Sequence, residues 1–198
     1  MDTNTNIFKV AGTIINKKNK GKSIRITLKT SSETRLGEIK QEYPYIYFYG
    51  KNKEIADRFN LYDKICVKGI IVTKAFNTEE GRTYLQLPIG VSIEARLETN
   101  GDNRINVILI SGVVKNVYTP TPAVSKITIA VENPTTHRFD YPQVVGYGNA
   151  AEFMKNQVKV GDVVQVKSYL QTNKNYSKEN SNFYFHDDIV CSAIRVIY

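Results

Sequence analysis

Hydrophobic and polar residues alternate along most of this chain. Residues 24–28 (Ile-Arg-Ile-Thr-Leu), 126–129 and 163–166 all show a period of two. This period places successive side chains on opposite faces and is typical of strands with one buried face. Residues 52–59 and 149–154 have short helix-like apolar spacing instead. The pattern therefore predicts a β-rich protein with two short helices.

The sequence repeats itself at a nearly constant distance. Landmarks of the first half recur 98–100 residues later in the second half. The matching landmarks are Gly12 and Gly112, Tyr43-Pro44 and Tyr141-Pro142, Asp63 and Asp162, and Tyr84 and Tyr184. A constant shift through many landmarks indicates two copies of one domain. The polar, turn-rich midpoint of the chain predicts a first domain at 1–98, a linker at 99–103 and a second domain at 104–198.

Each copy reads as three strands, one short helix and two more strands. This order is the layout of an OB-fold, a small, partly open Greek-key barrel. The predicted fold class is therefore all-β, with short helices and two OB-folds in tandem. In such barrels the second and third strands, with the loops between strands 1–2 and 4–5, form the ligand surface.

The net positive charge of the chain indicates the chemical class of its binding partner. Lys and Arg number 27 against 19 Asp and Glu, which gives a net charge of +8 and a pI of about 9.3. A basic protein favours a polyanionic partner, most often nucleic acid. The chain also has 13 Tyr and 8 Phe but no Trp. Tyrosine presents a flat apolar face at a wet surface, which suits contact with bases.

A row of tyrosines lies on one predicted strand, at Tyr43, Tyr45, Tyr47 and Tyr49. Ile46 and Phe48 alternate with them and are expected to face the barrel interior, which leaves the tyrosines outside. Stacking of a base on an aromatic ring is worth about 1–3 kcal/mol and tolerates any sequence. The alternative interpretation is that the tyrosines cover the barrel or pack against another subunit.

The second copy resembles the bacterial single-stranded DNA-binding proteins (SSBs). The residues that carry the resemblance are 112–114, 118–120, 123–130, 144–152, 161–166 and 170–172. The first copy matches more loosely, through 47–51 and 67–69. The resemblance implies a protein without catalytic activity that binds single-stranded DNA largely without sequence preference. It implies a role in replication, recombination or DNA transfer. The basic composition, rich in Lys, Asn and Tyr, points to a plasmid, phage or other mobile element as the source.

The resemblance also implies base-stacking positions. An aromatic residue just before the third-strand glycine, another six residues upstream and a third on the last hairpin stack on bases in that family. The matching residues here are Tyr43, Tyr49, Phe76, Tyr141, Tyr147 and Tyr176. Tyr or Phe stands where the family usually has Trp. Family members usually end in an acidic tail that recruits enzymes, and residues 194–198 read as a strand instead, so recruitment by that route is not expected.

Basic residues cluster near these aromatics and are candidates for contacts with the DNA backbone. They are Lys17, Lys18, Lys20, Lys22, Lys51, Lys74, Arg82, Lys126, Arg138 and Lys174. Residues 1–98 carry a net charge of +6 and residues 99–198 carry +2. We therefore expect stronger electrostatic attraction from the first copy, and an affinity that falls steeply with salt.

The sequence gives no sign of an enzyme, a cofactor or a metal site. His137 and His186 lack neighbours at metal-ligand spacing beyond Asp187-Asp188, and no phosphate-binding loop or nucleophile motif is found. Two alternatives stay open: binding of single-stranded RNA, and a structural module that uses its tyrosines to contact proteins.

The setting expected from the sequence is the cytoplasm, with no membrane contact. The N-terminus is polar, no apolar run reaches the length of a membrane span, and the two cysteines do not form a disulfide framework. We expect Cys66 and Cys191 to be reduced residues on strands. A homodimer is one expectation for the assembly, because two-barrel members of the family that dimerise are known.

Overall fold

Each half of the chain has the same order of elements, with one helix between its fourth and fifth strands. The computed structural model describes residues 4–33, 37–78, 81–95, 105–133, 136–177 and 182–197. The first half contains β1 (Thr5–Asn19), β2 (Ser23–Glu33), β3 (Ile39–Glu42), β4 (Tyr45–Tyr49), α1 (Gly50–Asp57), β5 (Lys64–Thr78) and β6 (Gly81–Ala95). The second contains β7 (Asn106–Thr121), β8 (Val124–Glu132), β9 (Phe139–Asp140), β10 (Gln143–Tyr147), α2 (Asn149–Gln157), β11 (Val163–Ser177) and β12 (Asn182–Ile197).

Five strands close a barrel in each half. In the first half the order is β1-β2-β4-β6-β5, and β5 pairs back with β1. In the second half β7, β8, β10, β12 and β11 follow the same order. The all-β fold with two tandem OB-folds, predicted from the sequence, is confirmed. The predicted linker at 99–103 lies outside the described residues, so the domain boundaries stay predictions.

The repeated glycine near the start of each half has a steric reason. A Cβ at Gly12 would collide with the backbone oxygen of Lys29 on β2. A Cβ at Gly112 would collide in the same way with the oxygen of Ala130 on β8. Each glycine allows β1 or β7 to approach its neighbour closely at the point where the barrel closes.

The two barrels are joined edge to edge by antiparallel pairing of β1 with β7. Phe8 lies opposite Ile108, and Val10 lies opposite Asn106. The whole sheet runs β3-β2-β4-β6-β5-β1-β7-β11-β12-β10-β8-β9. The second six strands are the equivalents of the first six in reverse order, so the halves are related by a pseudo-twofold axis between β1 and β7.

The alternation in the sequence matches the burial of side chains. Ile24, Ile26, Ile46 and Phe48 are fully buried in the first barrel. The isoleucines and valines of β7, β8, β10 and β11 fill the second barrel. Each helix buries a small apolar face, which on α2 includes Met154. The helices begin and end within three residues of the bounds expected from the sequence.

A buried asparagine extends the pairing of the first strand in each half. The backbone pairing of β1 with β5 ends at Phe8 and Gly69. Beyond this pair, the Asn6 side chain makes the hydrogen bonds to β5. Its Nδ2 donates to the Ile71 carbonyl at 2.7 Å, and its Oδ1 accepts from the Ile71 N–H at 3.0 Å. Asn106 makes the same pair of bonds with Leu170, at 2.7 and 2.9 Å.

The two cysteines lie on strands and are reduced, as expected. Cys66 lies on β5 and Cys191 on β12, and neither forms a disulfide. Burial raises the pKa of the Cys191 thiol to about 12, so this thiol is protonated and unreactive at neutral pH. In the part of the chain that the structure describes, neither helix has the length and apolar character needed to cross a membrane.

Candidate nucleic-acid interface

Tyr45, Tyr47 and Tyr49 lie on β4 and alternate with buried residues, as predicted. Tyr43 lies in the two-residue segment between β3 and β4, so it is not on the same strand. Tyr49, at the end of β4, is 43% exposed, and its equivalent Tyr147, at the end of β10, is 44% exposed. Tyr43 and Tyr141 are half-buried. The matching exposures indicate that both halves present the same aromatic positions at the surface.

The third aromatic position in each half lies on the long hairpin formed by the last two strands. Phe76 lies on β5 opposite Thr83, and Tyr176 lies on β11 opposite Phe183. Their side chains lie outside the described part of the structure. Their proposed stacking on bases stays a prediction.

A threonine in each half accepts a hydrogen bond from the backbone of a candidate stacking tyrosine in the other half. The Tyr43 N–H donates to the Thr172 hydroxyl at 2.9 Å, and the Tyr141 N–H donates to the Thr73 hydroxyl at 2.8 Å. Thr172 lies on the long β11–β12 hairpin and Thr73 on the equivalent β5–β6 hairpin. Each hairpin therefore reaches across the pseudo-twofold axis and fixes the backbone of a candidate stacking residue, in the short segment between β3 and β4 or between β9 and β10.

Buried carboxylates complete these cross-half contacts. Glu42 Oε2 accepts from the Thr172 N–H at 2.7 Å, and Asp140 Oδ1 accepts from the Thr73 N–H at 2.7 Å. Both acids are buried. We call the group of Glu42, Tyr43, Thr172 and Asp187 the first clasp, and the group of Asp140, Tyr141, Thr73 and Gln86 the second clasp.

The two clasps differ in charge at one position. In the first, Asp187 Oδ2 accepts from the Tyr45 N–H at 2.9 Å, and its Oδ1 accepts from the Thr172 hydroxyl at 2.8 Å. In the second, the neutral Gln86 accepts from the Gln143 N–H at 2.9 Å. The first clasp therefore contains an acid where the second has an amide.

The environment of Asp187 favours its protonated form. Burial raises the pKa of Asp187 to about 6, and the nearby Glu42 carboxylate adds to the rise. The hydrogen bonds from Tyr45 and Thr172 and the adjacent His186 act in the opposite direction but are weaker. Asp187 is thus the acid whose charge changes in mildly acidic solution.

A groove of about 370 Å³ lies between the two halves. Tyr45, Tyr47 and Arg25 line it from the first half, and Lys126 and Gln143 line it from the second. The Arg25 guanidinium lies 4.5 Å from the centre of the Tyr45 ring, a cation–π contact. His186, Asp187 and Asp188 also line the groove, so its charge is mixed.

Arg25 was missed as a candidate cation by the sequence reasoning. A signal was available, because the repeat aligns the segment 24–28 with the segment that contains Lys126. The two cations occupy equivalent strands and both line the groove between the halves.

A second groove, of about 430 Å³, opens beside Tyr147. Asn149 and Phe153 of α2 line it together with Tyr169 of β11. Burial raises the pKa of Tyr147, and Asp188 raises it further. Sequence reasoning also missed Tyr169, and here the repeat offers no signal, because the equivalent residue is Ile70.

Most of the candidate cations have exposed side chains. Those with exposed side chains are Lys18, Lys20, Lys22, Lys51, Lys74, Arg138 and Lys174, while Lys126 is half-buried and the Arg82 side chain lies outside the described part. The β1–β2 turn that carries Lys20 and Lys22 leads directly into Ser23, which pairs with Tyr49. The basic turn and the exposed tyrosine are therefore neighbours at one end of the first barrel.

Lys17 lies on β1 just before this turn and differs from the neighbouring lysines. Its ammonium donates to the Phe59 carbonyl at 3.0 Å and forms an ion pair with Asp57 at 2.9 Å. The hydrogen bond and charge of Lys17 lower the pKa of Asp57. Lys17 thus binds the C-terminal end of α1, where a cation is favoured, and its predicted contact with DNA is untested.

His137 and His186 each lie near one carboxylate. His137 Nδ1 lies 2.9 Å from Glu132, and His186 Nε2 lies 3.5 Å from Asp188. Among the described residues, no three His, Cys, Asp or Glu side chains lie together in a way that would hold a metal ion.

Comparison with solved structures places this architecture among known folds. The chain is similar over 100% of its length to a deletion mutant of the single-stranded DNA binding protein from Thermus aquaticus, with a TM-score of 0.71, 16% identity and 97% of that chain covered. The wild-type protein from Thermus aquaticus gives a TM-score of 0.70 and 16% identity, with 98% of this chain and 94% of that chain covered. No protein-family model matches the sequence, and comparison with curated proteins gives no match. The likeness shows that the chain has the tandem OB-fold of these structures, over both barrels.

Proposed function

We propose that this protein binds single-stranded DNA, largely without sequence preference and without catalysis. The observation that carries the proposal is the equivalent exposure of Tyr49 and Tyr147 at the ends of matching strands. Duplication of an exposed aromatic position is expected if each barrel stacks a base. The fold, shared with solved structures named as single-stranded DNA binding proteins, supports the same function.

The basic turn supplies the second element of the proposal. Lys18, Lys20 and Lys22 are exposed, and the turn adjoins the strand position opposite Tyr49. Each sugar of a single strand carries a base and is linked to the phosphates on either side of it. A strand whose base stacks on Tyr49 therefore brings neighbouring phosphates towards these ammonium groups. Neutralisation of phosphates releases counterions, and the affinity falls as salt rises.

The groove between the halves offers a route from one barrel to the other. Arg25 of the first half and Lys126 of the second both line it, beside Tyr45 and Tyr47. This arrangement favours one strand in contact with both halves. We place the activity in replication, recombination or transfer of a mobile element in the cytoplasm.

We also propose that two copies associate. Ile7 and Leu109 are 49% and 39% exposed on the outer face of the β1–β7 pair, where they line an apolar groove with Val107. This face lies on the pseudo-twofold axis, so a second copy can present the same surface in return. Sedimentation equilibrium of the wild-type protein and of Leu109→Glu tests the assembly: the wild type is expected to be a dimer that the variant dissociates, and a monomeric wild type would contradict it.

A titration by fluorescence anisotropy tests the proposed function. The probes are labelled oligo-dT, oligo-U and duplex DNA, each at low and at high salt. The proposal predicts the tightest binding to oligo-dT, with marked weakening at high salt. Preference for oligo-U would indicate an RNA-binding protein. Equal, weak binding to all three probes would overturn the proposal in favour of a module that contacts proteins.

A further inference from the structure

The groove beside Tyr147 has the shape and surface of a site for a flat, uncharged group. Its walls include the rings of Tyr147, Tyr169 and Phe153, and Asn149 adds an amide. Its volume of about 430 Å³ falls within the range of about 300–1,000 Å³ that is usual for small-molecule sites.

The charges around the groove favour a base over a phosphate. Among the described residues that line it, none is Lys or Arg. Besides burial, carboxylates raise the pKa values of the two tyrosines: Asp188 acts on Tyr147, and Glu42 acts on Tyr169. Carboxylates repel a phosphate, while aromatic walls with polar groups nearby accept the face and edge of a nucleobase.

The position of the groove connects it to the proposed path of the strand. Tyr169 lies on β11 three residues before Thr172, whose hydroxyl holds the backbone of Tyr43 from the first half. Tyr169 therefore lies on the strand that contacts the first half, and the charges of Glu42 from the first half and of Tyr147 both act on its phenol.

We propose that this groove binds one unpaired nucleobase of the bound single strand, with Tyr169 as a stacking residue in addition to Tyr147. This inference rests on the proposed function and adds a site within it. The first half carries Ile70 in the equivalent place, so the site is specific to the second half. The two barrels then hold the strand differently, although they share a fold.

The chain itself supplies the variant that tests the proposal. Tyr169→Ile introduces the residue that β5 already carries at the equivalent position, so the strand tolerates it. We expect its affinity for oligo-dT to fall at least about fivefold, the loss that corresponds to one base–aromatic stack. Tyr169→Phe keeps the ring and is expected to bind like the wild type.

The outcomes separate this inference from the proposed function. If Tyr169→Ile binds oligo-dT as tightly as the wild type while Tyr147→Ala binds more weakly, the groove proposal is wrong and the proposed function stands. If the wild-type protein does not bind oligo-dT, both are wrong. Loss of affinity in Tyr169→Phe as great as in Tyr169→Ile would also overturn a stacking role.

A second measurement does not depend on the folding of any variant. Wild-type protein is cross-linked by ultraviolet light to oligonucleotides that contain 5-iodouracil, and the modified residues are identified by mass spectrometry. We expect cross-links at both Tyr147 and Tyr169. Cross-links at Tyr147 without any at Tyr169 would contradict the proposal.

Discussion

The backbone N–H of Tyr43 donates a 2.9 Å hydrogen bond to the hydroxyl of Thr172, which lies 129 residues further along the chain. Tyr141 makes the equivalent bond with Thr73, in the opposite direction across the pseudo-twofold axis. A candidate stacking residue of each barrel is thus held by a hairpin of the other. The surface proposed to bind DNA is therefore built by both halves together, and neither barrel carries it complete.

The first prediction concerns the hydroxyl of Thr172. Thr172→Val keeps the shape of the side chain but leaves the Tyr43 N–H without its acceptor and Asp187 Oδ1 without its donor. A buried polar group that loses its partner costs about 1–3 kcal/mol, so we expect the free energy of unfolding in urea to fall by that amount. Thr121→Val, at an exposed position near the end of β7, is the control. Equal stability of the two variants would count against the clasp.

The second prediction concerns the dependence of stability on pH. The folded protein binds the proton of Asp187 more tightly than the unfolded chain does, because burial raises its pKa from an ordinary 3.8 to about 6. Stability that comes from this proton is therefore present below about pH 4 and is lost as the pH rises to about 6. We expect a fall on the order of 3 kcal/mol across this window, with no further change from Asp187 above it.

The test of this dependence uses an uncharged variant. Asp187→Asn should remove the pH dependence between about pH 4 and 6 in urea unfolding curves. Glu94→Gln, which changes an exposed acid paired with Lys68, should leave it in place. A pH profile that is identical in the wild type and Asp187→Asn would show that Asp187 does not titrate in this range.

The third prediction concerns the buried asparagines. Asn6→Ala removes the side chain that bonds both backbone groups of Ile71, inside the protein and away from water. Two buried groups then lack partners, and we expect a loss on the order of 2–4 kcal/mol. Asn106→Ala should cost a similar amount through Leu170, whereas Asn116→Ala, at an exposed position, should cost little. Thermal and urea unfolding measure these differences.

The fourth prediction separates two neighbouring lysines. Lys17→Met breaks the contacts with the end of α1 and should lower the melting temperature, while it changes the salt dependence of DNA binding little. Lys18→Met, at an exposed side chain, should leave the melting temperature unchanged and make the salt dependence less steep. The opposite assignment of effects would mean that Lys17 contacts phosphate and Lys18 does not.

The sequence was sufficient to predict the barrels, because period-two alternation and a repeated order of landmarks both depend on local pattern. The burial of Ile46 and Phe48 beneath an outward tyrosine row follows from the same pattern. The clasps could not be predicted, since a threonine hydroxyl and a distant backbone N–H leave no periodic signal. Arg25 was predictable from its alignment with Lys126, but Tyr169 was not, because its counterpart is Ile70.

The measurement that tests the central claim most directly is the affinity of Tyr49→Ala/Tyr147→Ala for oligo-dT across a series of salt concentrations. Loss of two stacked bases should weaken binding by at least about tenfold. The slope of affinity against salt should stay the same, because the contacts with phosphate are unchanged. Wild-type affinity in the double variant would contradict stacking on these two tyrosines.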